Sequence, residues 1–123
     1  MKEVTSMKIS NSEMEIMNII WAKDEEVTSA ELADILKDTW KPTTIMTFLK
    51  RLCDKGILDA RKEGKTNFYS ANITEDEYKQ STTESFLREF HNGSVTSLLT
   101  ALVKGKQPDS KELAEIKKWF NEL

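Results

Sequence analysis

One cysteine, one histidine and two prolines among 123 residues leave little room for several kinds of chemistry. With Cys53 alone, an intrachain disulfide and a cysteine-based metal cluster are both excluded, and a reducing cytoplasm is the natural setting. An enzyme needs convergent reactive groups, whereas the carboxylates here fall mostly in helix caps or on solvated faces. His91 falls near a helix C-terminus, where a positive charge is favourable, so a structural role accounts for it. No catalytic residue, metal or cofactor is therefore expected. Nor does any stretch approach the roughly 18 apolar residues of a membrane span, and the N-terminus lacks the ~7–15-residue apolar run of a signal peptide. The sequence reads as that of a soluble, cytoplasmic protein without linker, low-complexity tract or internal repeat.

What is present is a modest core and an uneven charge. Hydrophobic residues make up 38% and charged residues 32%, enough to bury one small core with help from oligomerisation. The net charge of −3 argues against a globally basic nucleic-acid binder, yet Lys37 to Lys65 holds eight Lys/Arg against four Asp/Glu, a local +4 that leaves −7 on the rest.

The centre of that basic stretch is Trp40 to Gly56, WKPTTIMTFLKRLCDKG. Pro42 suits the first turn of a helix because its missing N–H would be unpaired there, and Gly56 supplies the left-handed residue that closes one. At 100° per residue Ile45, Phe48, Leu49 and Leu52 fall on one side and Thr43, Thr44, Thr47, Lys50, Arg51 and Asp54 on the other. Threonine is a poor choice for helix stability, so the three at the start of the outer face call for another reason. Short hydroxyl side chains let a helix sit deep in a major groove and touch base edges or a thymine methyl. Lys50, Arg51 and Lys55 can reach phosphates, and Met46 lies with Cys53 at the edge of the packed face. A solvated amphipathic helix would share this pattern, so its surroundings decide.

Residues 1–9 read as a loose arm or short edge strand. Ser10 with Glu13 is a capping box opening a first helix, with Met14, Ile16, Met17, Ile20 and Trp21 as its apolar face through about Ala22. After a polar turn from Lys23 to Val27, Thr28 with Glu31 opens a second, carrying Ala30, Leu32, Ala33, Ile35 and Leu36 and ending near Lys37 or Asp38. The Trp40–Gly56 helix is the third, in the place where a helix-turn-helix reads DNA. Ile57–Lys62 and Thr66–Ala71 then read as strands around Glu63-Gly64-Lys65, a hairpin wing whose Arg61, Lys62 and Lys65 would neutralise phosphates.

Beyond Asn72, Thr74 with Glu77 opens a fourth helix bearing Tyr78, Phe86 and Phe90, stopped by Asn92-Gly93. Val95, Leu98, Leu99, Leu102 and Val103 form a fifth ending at Gly105, and Asp109 with Glu112 caps a sixth with Leu113, Ile116, Trp119 and Phe120. Such a short helical stretch does not make its own core, so these faces should bury against a second copy of the chain in a two-fold dimer. The expected fold is mostly α with a small β-wing. A winged helix-turn-helix DNA-binding domain spans 1–72, and a helical dimerisation region, using Phe86, Phe90, Leu98, Leu99, Leu102, Leu113, Ile116, Trp119 and Phe120, spans 73–123.

Trp40, Pro42, Thr44, Thr47, Leu49, Arg51, Leu52, Lys55 and Gly56 of the third helix, with Gly64 and Tyr69 in the wing and Trp21 in the first helix, give a pattern that resembles the penicillinase repressor family. That family includes repressors of β-lactamase and methicillin-resistance genes and copper-responsive repressors. The resemblance implies a bacterial homodimeric repressor on an inverted-repeat operator in double-stranded DNA. In antibiotic-responsive members an inducing protease cuts the dimerisation region at an Asn-Phe bond; here the aligned residues are Ala101-Leu102. Copper-responsive members bind metal through paired cysteines in the C-terminal region, and this tail has none.

Two other functions stay open: a winged-helix module that binds protein, and a regulator with an effector pocket of Met, Phe and Trp at the dimer cleft. The basic third helix and wing favour DNA over a protein partner. Cys53 reads as a small packing residue, with a redox switch the sharper alternative; only Lys50 and Lys55 stand near enough in sequence to lower its pKa.

Overall fold

Two of the three helices in the N-terminal half start where a side chain accepts from a free N–H of the first turn, and the third starts on a proline, which has no N–H to leave unpaired. The computed structural model describes residues 8–123. Residues 1–7 of the expected arm or edge strand therefore lie outside the described residues, and Lys8 and Ile9 enter no strand. Helix α1 runs Asn11–Lys23 with Ser10 and Glu13 in a reciprocal capping box. The two-residue strand β1, Val27–Thr28, leads directly into α2, Ser29–Ile35, whose cap is Thr28 with Glu31. Helix α3 spans Pro42–Asp54 with proline in its first turn. It ends in a Schellman motif: Gly56 N–H donates to the Cys53 carbonyl and Ile57 N–H to that of Leu52, with Gly56 at φ +78°.

Strands β2, Leu58–Glu63, and β3, Thr66–Ala71, form an antiparallel hairpin in which Glu63 pairs with Thr66. Gly64 and Lys65 are thus a two-residue turn, and Gly64 takes the positive φ of +64° that its first position demands. The sheet has a third member, in the stretch expected to be a polar turn and the cap after it. β1 pairs with β3 through Val27–Tyr69 and Thr28–Phe68, giving the order β1-β3-β2. Two residues carry no alternation to detect; what makes them a strand is a partner some forty positions away in the chain.

The core lies between the three helices and one face of the sheet. Ile16, Met17 and Ile20 from α1, Leu32 from α2, Ile45, Leu49 and Leu52 from α3, Val27, Leu58 and Tyr69 from the sheet, and Ile57 just before β2 are all buried. Each aliphatic side chain so buried contributes roughly 1.5–3 kcal/mol. Phe48 is half-buried and meets Trp40 edge-on at 5.2 Å between ring centroids. Two apolar positions of α2 stay outside the core: Ala30 is exposed, and Ile35, the last residue before Leu36 leaves helical geometry, is 52% exposed.

Helix α4, Glu75–His91, begins with Thr74 and Glu77 bonding reciprocally, Thr74 N–H to the Glu77 carboxylate and Glu77 N–H to the Thr74 hydroxyl. Its first turns belong to the N-terminal core. Tyr78 is buried against Trp21, and its hydroxyl accepts a 2.9 Å hydrogen bond from Ile9 N–H. The chain accordingly divides into units ending at Thr82 and beginning at Thr83, inside α4 and ten residues beyond the boundary expected after Asn72.

In the second unit α5 runs Val95–Gly105 behind the cap Ser94, and α6 runs Ser110–Asn121 behind the cap Asp109, whose carboxylate accepts from Glu112 N–H. Neither helix buries a single residue within this chain. Phe86, Phe90, Leu99, Leu102, Leu113, Ile116, Trp119 and Phe120 are all exposed, Trp119 by 57%, and Leu98 is half-buried. Among the described residues, no helix is long and apolar enough to cross a membrane.

Candidate nucleic-acid interface

With Ile45, Leu49 and Leu52 turned into the core, the opposite side of α3 is committed to solvent. It presents Thr43, Met46, Thr47, Lys50 and Arg51. Thr44, expected on this face, is half-buried, so the outer column of the helix is Thr43 and Thr47, one turn apart. The Thr47 hydroxyl donates back to the Thr43 carbonyl at 3.1 Å. Its proton is thereby spent, which leaves oxygen lone pairs and a methyl group facing outward.

Beyond Thr47 the face becomes cationic. Lys50 meets Asp54 at 3.1 Å, but both side chains are largely exposed, and an i,i+4 pair in water is easily surrendered. Arg51 lies over the Phe48 ring at 6.0 Å and keeps its guanidinium in solvent. On the hairpin, Lys62 and Lys65 are exposed and enter no ion pair among the described residues. Between helix and hairpin, Met46, Thr47, Lys50, Cys53, Ala60 and Tyr69 line a shallow cavity of about 450 Å³.

Two cations expected to meet phosphates are held elsewhere. Arg61 donates from Nε and Nη2 to both carboxylate oxygens of Glu26, at 3.0 and 2.8 Å, and from Nη1 to Glu63 at 2.7 Å. Its guanidinium also stacks 4.6 Å above the Phe68 ring. The same contacts hold the Glu26 carboxyl below its ordinary pKa, through the hydrogen bonds from Arg61 first. Arg61 therefore ties the hairpin to the loop before β1. Lys55 points away from the outer face of α3 and donates to the Glu13 carboxylate at 2.6 Å and to the Lys8 carbonyl at 2.8 Å. Sequence could assign charge to these positions but not partners: Glu26 and Glu13 lie 35 and 42 residues away. Lys41, an exposed cation at the N-cap of α3, was not among the expected contacts; its membership of the basic stretch was the available signal.

Cys53 packs half-buried against the core, and burial, followed by the nearby Asp54 and Asp59, pushes its thiol pKa up. The two lysines near it in sequence, Lys50 and Lys55, are turned to Asp54 and Glu13. His91 shares a 2.8 Å hydrogen bond with the Ser97 hydroxyl and packs on Phe86. Among the described residues no cluster of His, Cys, Asp or Glu is arranged to hold a metal ion.

A three-helix core with the third helix exposed along a threonine-to-arginine face, flanked by a Gly-turned hairpin, is matched by the sequence profile of the penicillinase repressor family over residues 9–122. The chain belongs to the penicillinase repressor family. Relatives within this family include the penicillinase repressor of Bacillus licheniformis, 36% identical over 110 residues that cover 89% of this chain and 86% of that one. The methicillin resistance regulatory protein MecI of Staphylococcus aureus strain N315 is 30% identical over 115 residues, 93% of this chain and 94% of MecI. Among solved structures, the DNA-binding domain of the repressor BlaI is 40% identical with a TM-score of 0.54, covering 63% of this chain and 94% of that domain. The likeness to penicillinase repressors is thus carried in the winged-helix half by fold as well as sequence.

Proposed function

We propose that this protein is a cytoplasmic transcriptional repressor that binds double-stranded DNA as a homodimer on an inverted-repeat operator. The observation that carries the reading is the exposed α3 face of Thr43, Met46, Thr47, Lys50 and Arg51 in a domain 40% identical to the DNA-binding domain of BlaI. Helix α3 enters the major groove, with Thr43 and Thr47 at base edges and the Met46 side chain able to meet a thymine methyl. Lys50, Arg51, Lys62 and Lys65 hold phosphates on either side. Residues 1–72, together with the start of α4, form the DNA-binding domain, and the remaining helices form the dimerisation region. Support for the dimer comes from the unburied apolar faces of α5 and α6 and from the Phe86–Phe90 pair. Any protease that releases the repressor at Ala101-Leu102 must first open α5, and the cut divides that face.

The test is selection of duplexes from a randomised pool by the full chain, followed by titration of the enriched duplex and a scrambled one. Enrichment of a two-fold symmetric sequence bound by two copies is the expected result. Failure to enrich any sequence, or binding by a single copy at full affinity, would overturn it.

A further inference from the structure

Among the described residues, the most completely buried charged group packs against the end of α3, away from its outer face. Glu13 is 1% exposed. Its Oε1 accepts the Ser10 N–H of its own capping box at 2.9 Å and the Lys55 ammonium at 2.6 Å. Burial alone would raise its carboxyl pKa, but the hydrogen bonds from Lys55 and Ser10 outweigh burial and leave it lowered. Lys55 is the C-cap of α3, and its ammonium also binds the Lys8 carbonyl. The next residue, Ile9, is in turn fixed by its N–H to the Tyr78 hydroxyl on α4. The extended segment Lys8–Ser10 is therefore a strap, fastened on one side to the last turn of α3 and on the other to the first turns of α4.

We infer that Lys55 and Glu13 are a positioning pair for operator recognition, which sets the seat of α3 through the Lys8–Ser10 strap rather than through any phosphate contact. A helix read by its N-terminal half is sensitive to how its C-terminal end is held. A single ion pair can do this because the Glu13 carboxylate is 1% exposed and losing its cation would leave a buried charge unpaired, although the Lys55 side chain itself is 28% exposed; the Lys50–Asp54 pair, exposed on both sides, carries no such penalty. The Schellman motif fixes the path of the backbone after α3, while Lys55 fixes the last turn against α1. This inference rests on the DNA-binding reading given above.

Its test is a set of full-length variants, each shown by circular dichroism to be folded at the assay temperature. Each is titrated with the duplex enriched by the wild-type chain and with a scrambled duplex over a range of salt. Lys55→Met and Glu13→Gln should each lose affinity for the enriched duplex by about fivefold to a hundredfold, the range of one misplaced base contact. Binding to scrambled DNA and the slope of log affinity against log salt should stay unchanged. Lys55→Arg, which keeps both donors, should restore the preference, and Lys62→Met supplies the contrast of a true phosphate ligand by flattening the slope. Should a single variant fail to fold, Glu13→Gln/Lys55→Met strands no charge and carries the same readout. Loss of salt slope in the Lys55 variants equal to that in Lys62→Met overturns the inference, as does an unchanged preference in folded variants. Absence of salt-dependent binding by the wild-type chain is a separate outcome, which overturns the DNA reading and this inference with it.

Discussion

Replacing Arg61 and Lys65 in turn by alanine should separate two cations of the hairpin that the sequence alone makes equivalent. Lys65 stands exposed at the turn, whereas Arg61 makes three hydrogen bonds to two carboxylates and stacks on Phe68. To reach a phosphate, Arg61 would abandon all of these contacts and leave Glu26 and Glu63 unpaired beside a polyanion. Each phosphate neutralised adds about 0.9 to the slope of log affinity against log salt, so one lost contact in each half of a dimer removes about 1.8. Over the fourfold span from about 50 to 200 mM salt, Lys65→Ala should weaken the salt effect roughly tenfold, against a wild-type loss of about 10³–10⁵. Arg61→Ala should leave that slope where it was. Fluorescence anisotropy on the enriched duplex reads both, with thermal melting to confirm that each variant is folded. Equal flattening by the two substitutions would refute the reasoning, because it would mean that DNA draws Arg61 out of its carboxylate clamp.

Three further outcomes follow from the same geometry. Thr47→Ala should narrow the preference for operator over scrambled duplex by roughly 1–3 kcal/mol, whereas Lys62→Ala should weaken both alike; an untouched ratio in the first, or a collapsed one in the second, means that the wrong face of α3 has been placed in the groove. A chain ending at Thr82 should be a folded monomer by sedimentation, while one ending at Asn72 loses buried Ile73 and Tyr78 and at least about 3 kcal/mol with them; equal melting temperatures for the two would contradict the placement of these residues in the core. Because the folded state lowers the Glu13 pKa, the stabilisation is present above the ordinary glutamate value of about 4.3 and is lost as pH falls through the folded value. Urea midpoints of Glu13→Gln should therefore fall less steeply than wild type in that acidic window, and parallel curves would count against the pair.

The helices were legible because their signals are local. Ser10 with Glu13, Thr28 with Glu31, and Thr74 with Glu77 sit three residues apart, and each pair forms the reciprocal bonds that this spacing allows. Pro42 and Gly56 likewise mark the ends of α3 through backbone properties that belong to single residues. The period of Ile45, Leu49 and Leu52 picked out the buried side, so the outward face of α3 followed by elimination.

Pairing between distant segments was decided by tertiary structure alone. β1 exists because Tyr69 and Phe68 lie beside it, and Tyr78 belongs to the first unit because Trp21 and Ile9 meet it there. Composition also placed Lys55 and Arg61 among the DNA-binding cations, since charge can be counted along a chain. Whether a cation is free depends on which carboxylates the fold brings within about 3 Å, and α1 and the loop before β1 brought Glu13 and Glu26. The sequence by itself determined the helices, the hairpin and the charge of the outer face of α3. The tertiary structure decided which of those charges remain to be used, because an ion pair is a property of distance in space.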